Sequence, residues 1–242
     1  MEFNEEKLIP QLSIDCVVFG YKEGRIKVLV SRLNLSEDIY TLPGGFIGQE
    51  EHIDESAHRI LEERTGLKEV FLEQYRVFGV ANRKNDIILD MFEKLPEESG
   101  INKENWQNWF SKRFVSVGYY ALVDINKVSL RKSEFDAEIN WLDLESLPQM
   151  IMDHNEMVNF ALESLREKLD EKLIGFNLLP ETFTMKEVQE LYEAVYNKPF
   201  ARNNFQKKML DLNVLERLEK VYTGAANKAP YLYRFRKDIK SS

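Results

Sequence analysis

The stretch from Leu42 to Leu67 constrains this chain most, because it sets a turn, a loop and a helix in close succession. Leu42-Pro43-Gly44-Gly45 reads as a turn from its proline and glycines. Asp54 is the expected N-cap of a helix over 54–65, and Gly66 its stop, since glycine adopts the left-handed conformation that closes helices. Upstream, 13–19 and 26–31 are rich in β-branched residues and flank Lys22-Glu23-Gly24, which predicts a hairpin. Segments 69–78, 114–123 and 137–142 read as further strands. Over 154–173, Met157, Phe160, Ala161, Leu165 and Leu169 make a helical stripe. With 43% hydrophobic residues the chain has enough apolar surface for a packed core.

Gly45, Glu51, Arg59, Leu61, Glu63, Gly66 and Leu67 fall into one spacing: a glycine, five residues, a glutamate, seven residues, then an Arg-led helical run ending Gly-apolar. This resembles the Nudix signature, and the likeness extends over about 12–148. It implies a Nudix α/β/α sandwich. In working members, glutamates at i, i+3 and i+4 share one helix face and hold Mg²⁺, a hard cation that needs oxygen ligands. Those positions are here Ile60, Glu63 and Arg64. Glu62 is no substitute, because two residues of helix turn it about 200° from Ile60. The resemblance therefore implies a scaffold that has lost hydrolysis, with no catalytic residue, no metal and no cofactor, and Glu63 paired with Arg59 or Arg64. The alternative is an active pyrophosphohydrolase with an accessory domain, drawing on Glu50, Glu51, Glu55, Glu62 and Glu63.

Charge divides the chain. The 242 residues carry a net −8, which argues against a nucleic-acid partner if the charge is spread evenly. It is not. From Phe176 onward there are 12 Lys+Arg against 8 Asp+Glu, a net +4, leaving −12 for the rest. Charge asymmetry between halves is itself a nucleic-acid signal.

The basic part has its own pattern. Thr184 with Glu187 three residues later forms a capping box that opens a helix over 184–196. Asn197-Lys198-Pro199 is a turn, and 202–212 a second helix with Phe205, Met209 and Leu212 on one face. Arg202, Asn203, Asn204, Gln206, Lys207 and Lys208 fall largely elsewhere, as a major-groove reader requires: arginine suits guanine edges, asparagine and glutamine adenine. Two strands follow, 214–222 and 231–235. Lys228 at their hairpin tip, with Tyr231, Arg234 and Arg236, fits a wing along phosphates. Thr184 and Lys186 complete the expected DNA-binding set. The plainer alternative is a solvated charged face on a dimerisation module.

Joined, the two pieces resemble the Nudix-related transcriptional regulators. The passages Asp153-His154, Phe183-Thr184 with Val188-Gln189 and Tyr192-Glu193, and Arg202-Asn203-Asn204-Phe205 with Lys207-Lys208 carry this likeness. It implies a Nudix-like effector sensor over 1–150, a connecting helix over 151–175 and a winged helix-turn-helix over 176–242. It further implies a cytoplasmic homodimer on a palindromic double-stranded DNA operator. The expected effector is a sugar such as L-arabinose, with repression of pentose-utilisation genes; the alternative is ADP-ribose and NAD metabolism. Expected effector-binding residues are Arg59, Glu63, Arg83, Lys84, Trp106, Trp109, Arg113 and Tyr119.

One departure stands out. Family members commonly carry a short Arg-Asp-Pro-Arg-type turn after the strand ending Phe78-Gly79, whereas this chain has 80–113, with Trp106 and Trp109 at helical spacing. The plainer reading is an inserted helix whose tryptophans pack on the sandwich or a dimer mate; the sharper one is a pocket wall. Loss of that turn weighs against the two phosphates of ADP-ribose, although Arg83, Lys84 and Arg113 offer cations. His52, His58 and His154 are read as surface or capping residues. The single cysteine, the acidic first residues and the lack of an 18-residue apolar run predict a soluble protein of a reducing compartment, with no membrane partner.

Overall fold

The β-branched runs form β1 (Leu8–Lys22) and β2 (Arg25–Leu33), joined at Glu23-Gly24, both at positive φ. A computed structural model describes residues 4–34, 38–68, 70–81, 83, 86–94, 102–169, 178–220 and 229–236. The Pro-Gly stretch turns between β3 (Tyr40–Thr41) and β4 (Gly44–Gly48). Helix α1 (Ile53–Thr65) follows, then β5 (Phe71–Phe78), α2 (Asp86–Lys94), α3 (Lys103–Phe110), β6 (Val115–Val123), β7 (Asp136–Asp143) and α4 (His154–Leu169).

The mixed sheet runs β3-β2-β1-β6-β5, with β4 also paired to β1 and β7 to β2. β1 and β6 are parallel neighbours, from Leu12↔Val115 to Gly20↔Val123. Parallel strands are buried on both faces, and β1 divides its residues by parity. Ile14, Cys16 and Val18 join Ala57, Ile60 and Leu61 of α1, whereas Val17 and Phe19 join Met157, Ala161 and Leu165 of α4. Helices thus cover both faces, giving the expected α/β/α sandwich.

The chain continues with β8 (Phe183–Thr184), α5 (Met185–Tyr196), α6 (Arg202–Asp211), β9 (Leu215–Lys220) and β10 (Tyr231–Phe235). Its small antiparallel sheet is ordered β8-β10-β9. Val188, Leu191, Tyr192, Val195, Phe205 and Met209 close its core, which is continuous with the α4 face of the large sheet.

Several expectations shift. Helix α1 begins one residue before Asp54: His52 takes the N-cap position, its N–H donating to the Glu55 carboxylate at 3.2 Å. The insertion holds two helices, α2 and α3, where one was expected. β8 was not anticipated; its two residues give no periodicity to read. Residues 170–173, the 175/176 boundary and the hairpin tip with Lys228 lie outside the described residues.

Candidate effector cleft and nucleic-acid interface

The signature helix carries an ion pair to the segment that precedes it. Glu51 accepts from Arg59 Nε at 2.6 Å and Nη2 at 2.8 Å, from the Gly48 N–H at 3.0 Å and from Ser56 Oγ at 2.8 Å. The Arg59 guanidinium, chief among these donors, holds the Glu51 carboxyl down at about 2. Arg59 also donates to the Phe46 carbonyl at 2.9 Å, so the pair fastens the β4 loop to α1. The expected Arg59–Glu63 pair forms only at 3.4 Å, at the surface. Arg64 does not serve Glu63: it reaches across to Asp136, whose side chain is 1% exposed. Ile60 is buried among Ile14, Cys16 and Leu61, so close to Gly45 that a Cβ there would come within 2.9 Å.

Other expected effector residues are built into the fold. Tyr119 is buried, its hydroxyl donating to Asp54; burial, then that contact, pushes its pKa up. Tyr120 faces the opposite side and donates to Glu73 at 2.9 Å, as strand alternation predicts. Trp106 and Trp109 pack on Phe46, at ring-centroid distances of 6.3 and 5.5 Å, and Trp106 stacks on Phe92 at 5.6 Å. This aromatic group seats α2 and α3 on the loop that Arg59 holds. Exposed Arg113 donates to the Gly79 carbonyl at 2.9 Å, and Lys84 lies outside the described residues.

Arg83 belongs to a buried polar network that the sequence did not reveal. Its Nε donates to Asp153 Oδ1 at 2.9 Å and its Nη1 to Ser116 Oγ at 3.0 Å; Nη2 lies 3.7 Å from Asp15. Ser116 in turn donates to Asp15. His154, expected at the surface or as a cap, is 1% exposed. Its Nδ1 accepts the Leu42 N–H at 3.0 Å and its Nε2 lies 3.8 Å from Asp15. Burial, outweighing the nearby carboxylates, pushes the imidazole pKa down and keeps it neutral. Asp15, Arg83, Ser116 and the adjacent Asp153-His154 stand far apart in sequence, and only the fold brings them together.

In the C-terminal unit, α6 buries Phe205 and Met209 and turns Arg202, Asn203, Asn204, Lys207 and Lys208 outward, with Gln206 half-buried. A shallow groove lined by Asn204, Lys207, Lys208, Asp211 and Leu212 runs along that face. The Thr184 Oγ accepts the Glu187 N–H at 3.2 Å, while Glu187 accepts the Thr184 N–H at 2.6 Å: the expected capping box. Lys186 pairs with Glu190 at 3.2 Å. On the strands, Arg217 and Lys220 lie over the Tyr231 ring at 4.5 and 5.1 Å, two cations the sequence reading did not single out. Arg234 is paired with Glu216 at 2.8 Å and Arg236 donates to Asn213 at 2.8 Å.

A signature helix on one face of a mixed sheet, followed by helix, turn, helix and a small antiparallel sheet, defines a Nudix-like domain joined to a C-terminal winged helix. Residues 175–235 match the NrtR DNA-binding winged helix domain. Over 233 residues the chain is 27% identical to the ADPR responsive transcriptional repressor NtrR of Acinetobacter baylyi, covering 93% of this chain and 82% of that one. In fold it resembles Shewanella oneidensis NrtR solved with a 27mer DNA, at a TM-score of 0.71, 24% identity and 96% coverage of both chains. It also resembles a MutT/nudix family protein from Enterococcus faecalis, at a TM-score of 0.67 and 19% identity, covering 98% of this chain and 88% of the other. The chain is thus similar to NrtR proteins in its winged helix sequence and in its two-part fold, a Nudix-like domain followed by a C-terminal winged helix.

Proposed function

We propose that this protein is a cytoplasmic, homodimeric transcriptional repressor that binds a palindromic operator through its winged helix and responds to ADP-ribose in a Nudix-like domain without hydrolytic activity. The reading rests above all on α6, a helix of an NrtR-type winged helix that buries Phe205 and Met209 while exposing Arg202, Asn203, Asn204, Lys207 and Lys208. Such a helix offers donors to base edges and cations to phosphates. The wing adds Arg217, Lys220 and Tyr231. The divisions at 150 and 175 serve this reading as sensor, connecting helix and reader.

For the effector, the A. baylyi relative is named for its response to ADP-ribose, which supports that ligand over the sugar implied by the sequence resemblance. Loss of hydrolysis is argued from chemistry: Ile60 offers no oxygen, Arg64 brings a positive charge paired to Asp136, and Glu51 is committed to Arg59. Magnesium requires several oxygen ligands.

The test has two arms. An operator is selected by the protein from a random pool of duplexes, and its affinity is measured with and without ADP-ribose or L-arabinose. ADP-ribose is expected to raise the thermal midpoint and weaken operator binding, with arabinose doing neither. Response to arabinose alone reverses the effector assignment, and Mg²⁺-dependent turnover of ADP-ribose overturns the claim of inactivity.

A further inference from the structure

Helix α4 is fastened at both ends. Its N-terminus is held by Asp153, whose carbonyl accepts the Met157 N–H at 2.9 Å and whose carboxylate takes the Arg83 guanidinium. At its other end, Arg166 Nε donates to the Val195 carbonyl of α5 at 2.8 Å, and the Tyr196 hydroxyl donates to the Arg166 carbonyl at 3.0 Å. Leu165 and Leu169 share one buried cluster with Val188 and Leu191. The rod therefore runs from the buried polar network to the helix against which α6 packs.

Arg83 sits at the other junction. It lies three residues before α2, whose Phe92 stacks on Trp106, and Trp106 in turn packs on Phe46 of the signature loop. A ligand that displaced α2 would draw on Arg83 through a link of three positions, at most about 11 Å of chain. The arginine side chain is 3% exposed and that of Asp153 15% exposed. Separating such a buried pair is costly, because it leaves the Asp153 carboxylate without its cation and Arg83 with Asp15 alone. A pair with two such discrete arrangements, held and separated, is what coupling between distant sites requires.

We infer that the Arg83–Asp153 ion pair is the positioning element through which ligand binding at the Nudix-like domain reaches the winged helix. The inference rests on the effector-responsive reading above and adds the residues that transmit the response. Arg83 then acts by holding α4, and its cation is spent on Asp153 rather than on effector phosphate.

The experiment compares the whole wild-type chain with Asp153→Asn and Arg83→Lys. Circular dichroism reports folding, calorimetry the ADP-ribose affinity, and fluorescence anisotropy the affinity for the selected operator with and without ADP-ribose. Wild type is expected to lose operator affinity by about tenfold or more on binding ADP-ribose, within the usual range of coupling between sites. Asp153→Asn is expected to bind ADP-ribose within about threefold of wild type while its operator affinity changes less than about threefold. Arg83→Lys, which keeps the charge but not the fork, falls between; it decides alone should Asp153→Asn not fold. A merely structural pair lowers stability and leaves the coupling ratio at the wild-type value, and that result overturns the inference while the functional reading stands. A wild-type chain whose operator affinity ignores ADP-ribose overturns both.

Discussion

Glu51 stands at a fixed position of the signature and performs a structural task. At the position of a family glutamate, it gathers Arg59, Ser56 and the Gly48 N–H and locks the β4 loop to α1. Glu51→Gln is expected to cost about 1–2 kcal/mol at neutral pH, the partly exposed guanidinium keeping the figure low. The folded carboxyl titrates at about 2 against an ordinary 4.5, so its contribution is complete above 4.5 and lost as pH falls toward 2. Denaturant midpoints for wild type and Glu51→Gln should therefore converge only in that acid window. Ile60 gives the complementary case. Returning a glutamate there buries a carboxylate among Ile14, Ala57 and Leu61 with no designed donor. Ile60→Glu is expected to destabilise the chain by more than about 2 kcal/mol, with no gain in Mg²⁺ affinity by calorimetry. The signature spacing made Glu51 and Arg59 visible in the sequence. The partner of Arg64 was not, because Asp136 is 72 positions away and nothing local marks the two as a pair.

Elements were legible where periodicity or capping chemistry is strong. β1 and β2, α4, α5 and α6 all follow from β-branched runs, apolar stripes or the Thr184–Glu187 box. The N-cap of α1 was misplaced because Asp54 is the better capping residue by type, yet the loop geometry set by Glu51 starts the helix earlier, at His52. β8 escaped because it exists only as a partner for β10, through Thr184↔Leu232 and Phe183↔Tyr233. Thr184 carries two expectations, as helix cap and as DNA-binding residue, and these separate experimentally. Thr184→Ala is expected to cost about 1 kcal/mol through loss of the cap. If the hydroxyl serves the cap alone, operator affinity measured well below the melting temperature changes little and its salt dependence not at all. A large loss of affinity in a fully folded variant assigns Thr184 to the DNA contact.

At the scale of the whole molecule, the net charge of −8 is the sum of a −12 body and a +4 C-terminal part, the proposed reader. No described helix is long and apolar enough to cross a membrane, and the large apolar residues of both parts join one buried core. In the proposed function the acidic body repels the phosphate backbone, which would leave DNA contact to α6 and the strands beyond it. Within that reader the free energy divides by type of contact. A side chain that neutralises a phosphate releases counterions, so its loss weakens every sequence alike and flattens the salt dependence; one that reads a base edge changes discrimination instead. Arg202 and Lys207 both project from α6, so the double variant Arg202→Ala/Lys207→Ala is the decisive one. It is expected to bind operator at least about tenfold more weakly, with the slope of log affinity against log salt reduced by about one for each lost phosphate contact. Anisotropy titrations across a salt series read both quantities in one experiment. Undiminished affinity moves the DNA interface off α6. Weakened affinity with an unchanged slope and relaxed sequence preference makes these two side chains readers of bases rather than anchors on phosphate.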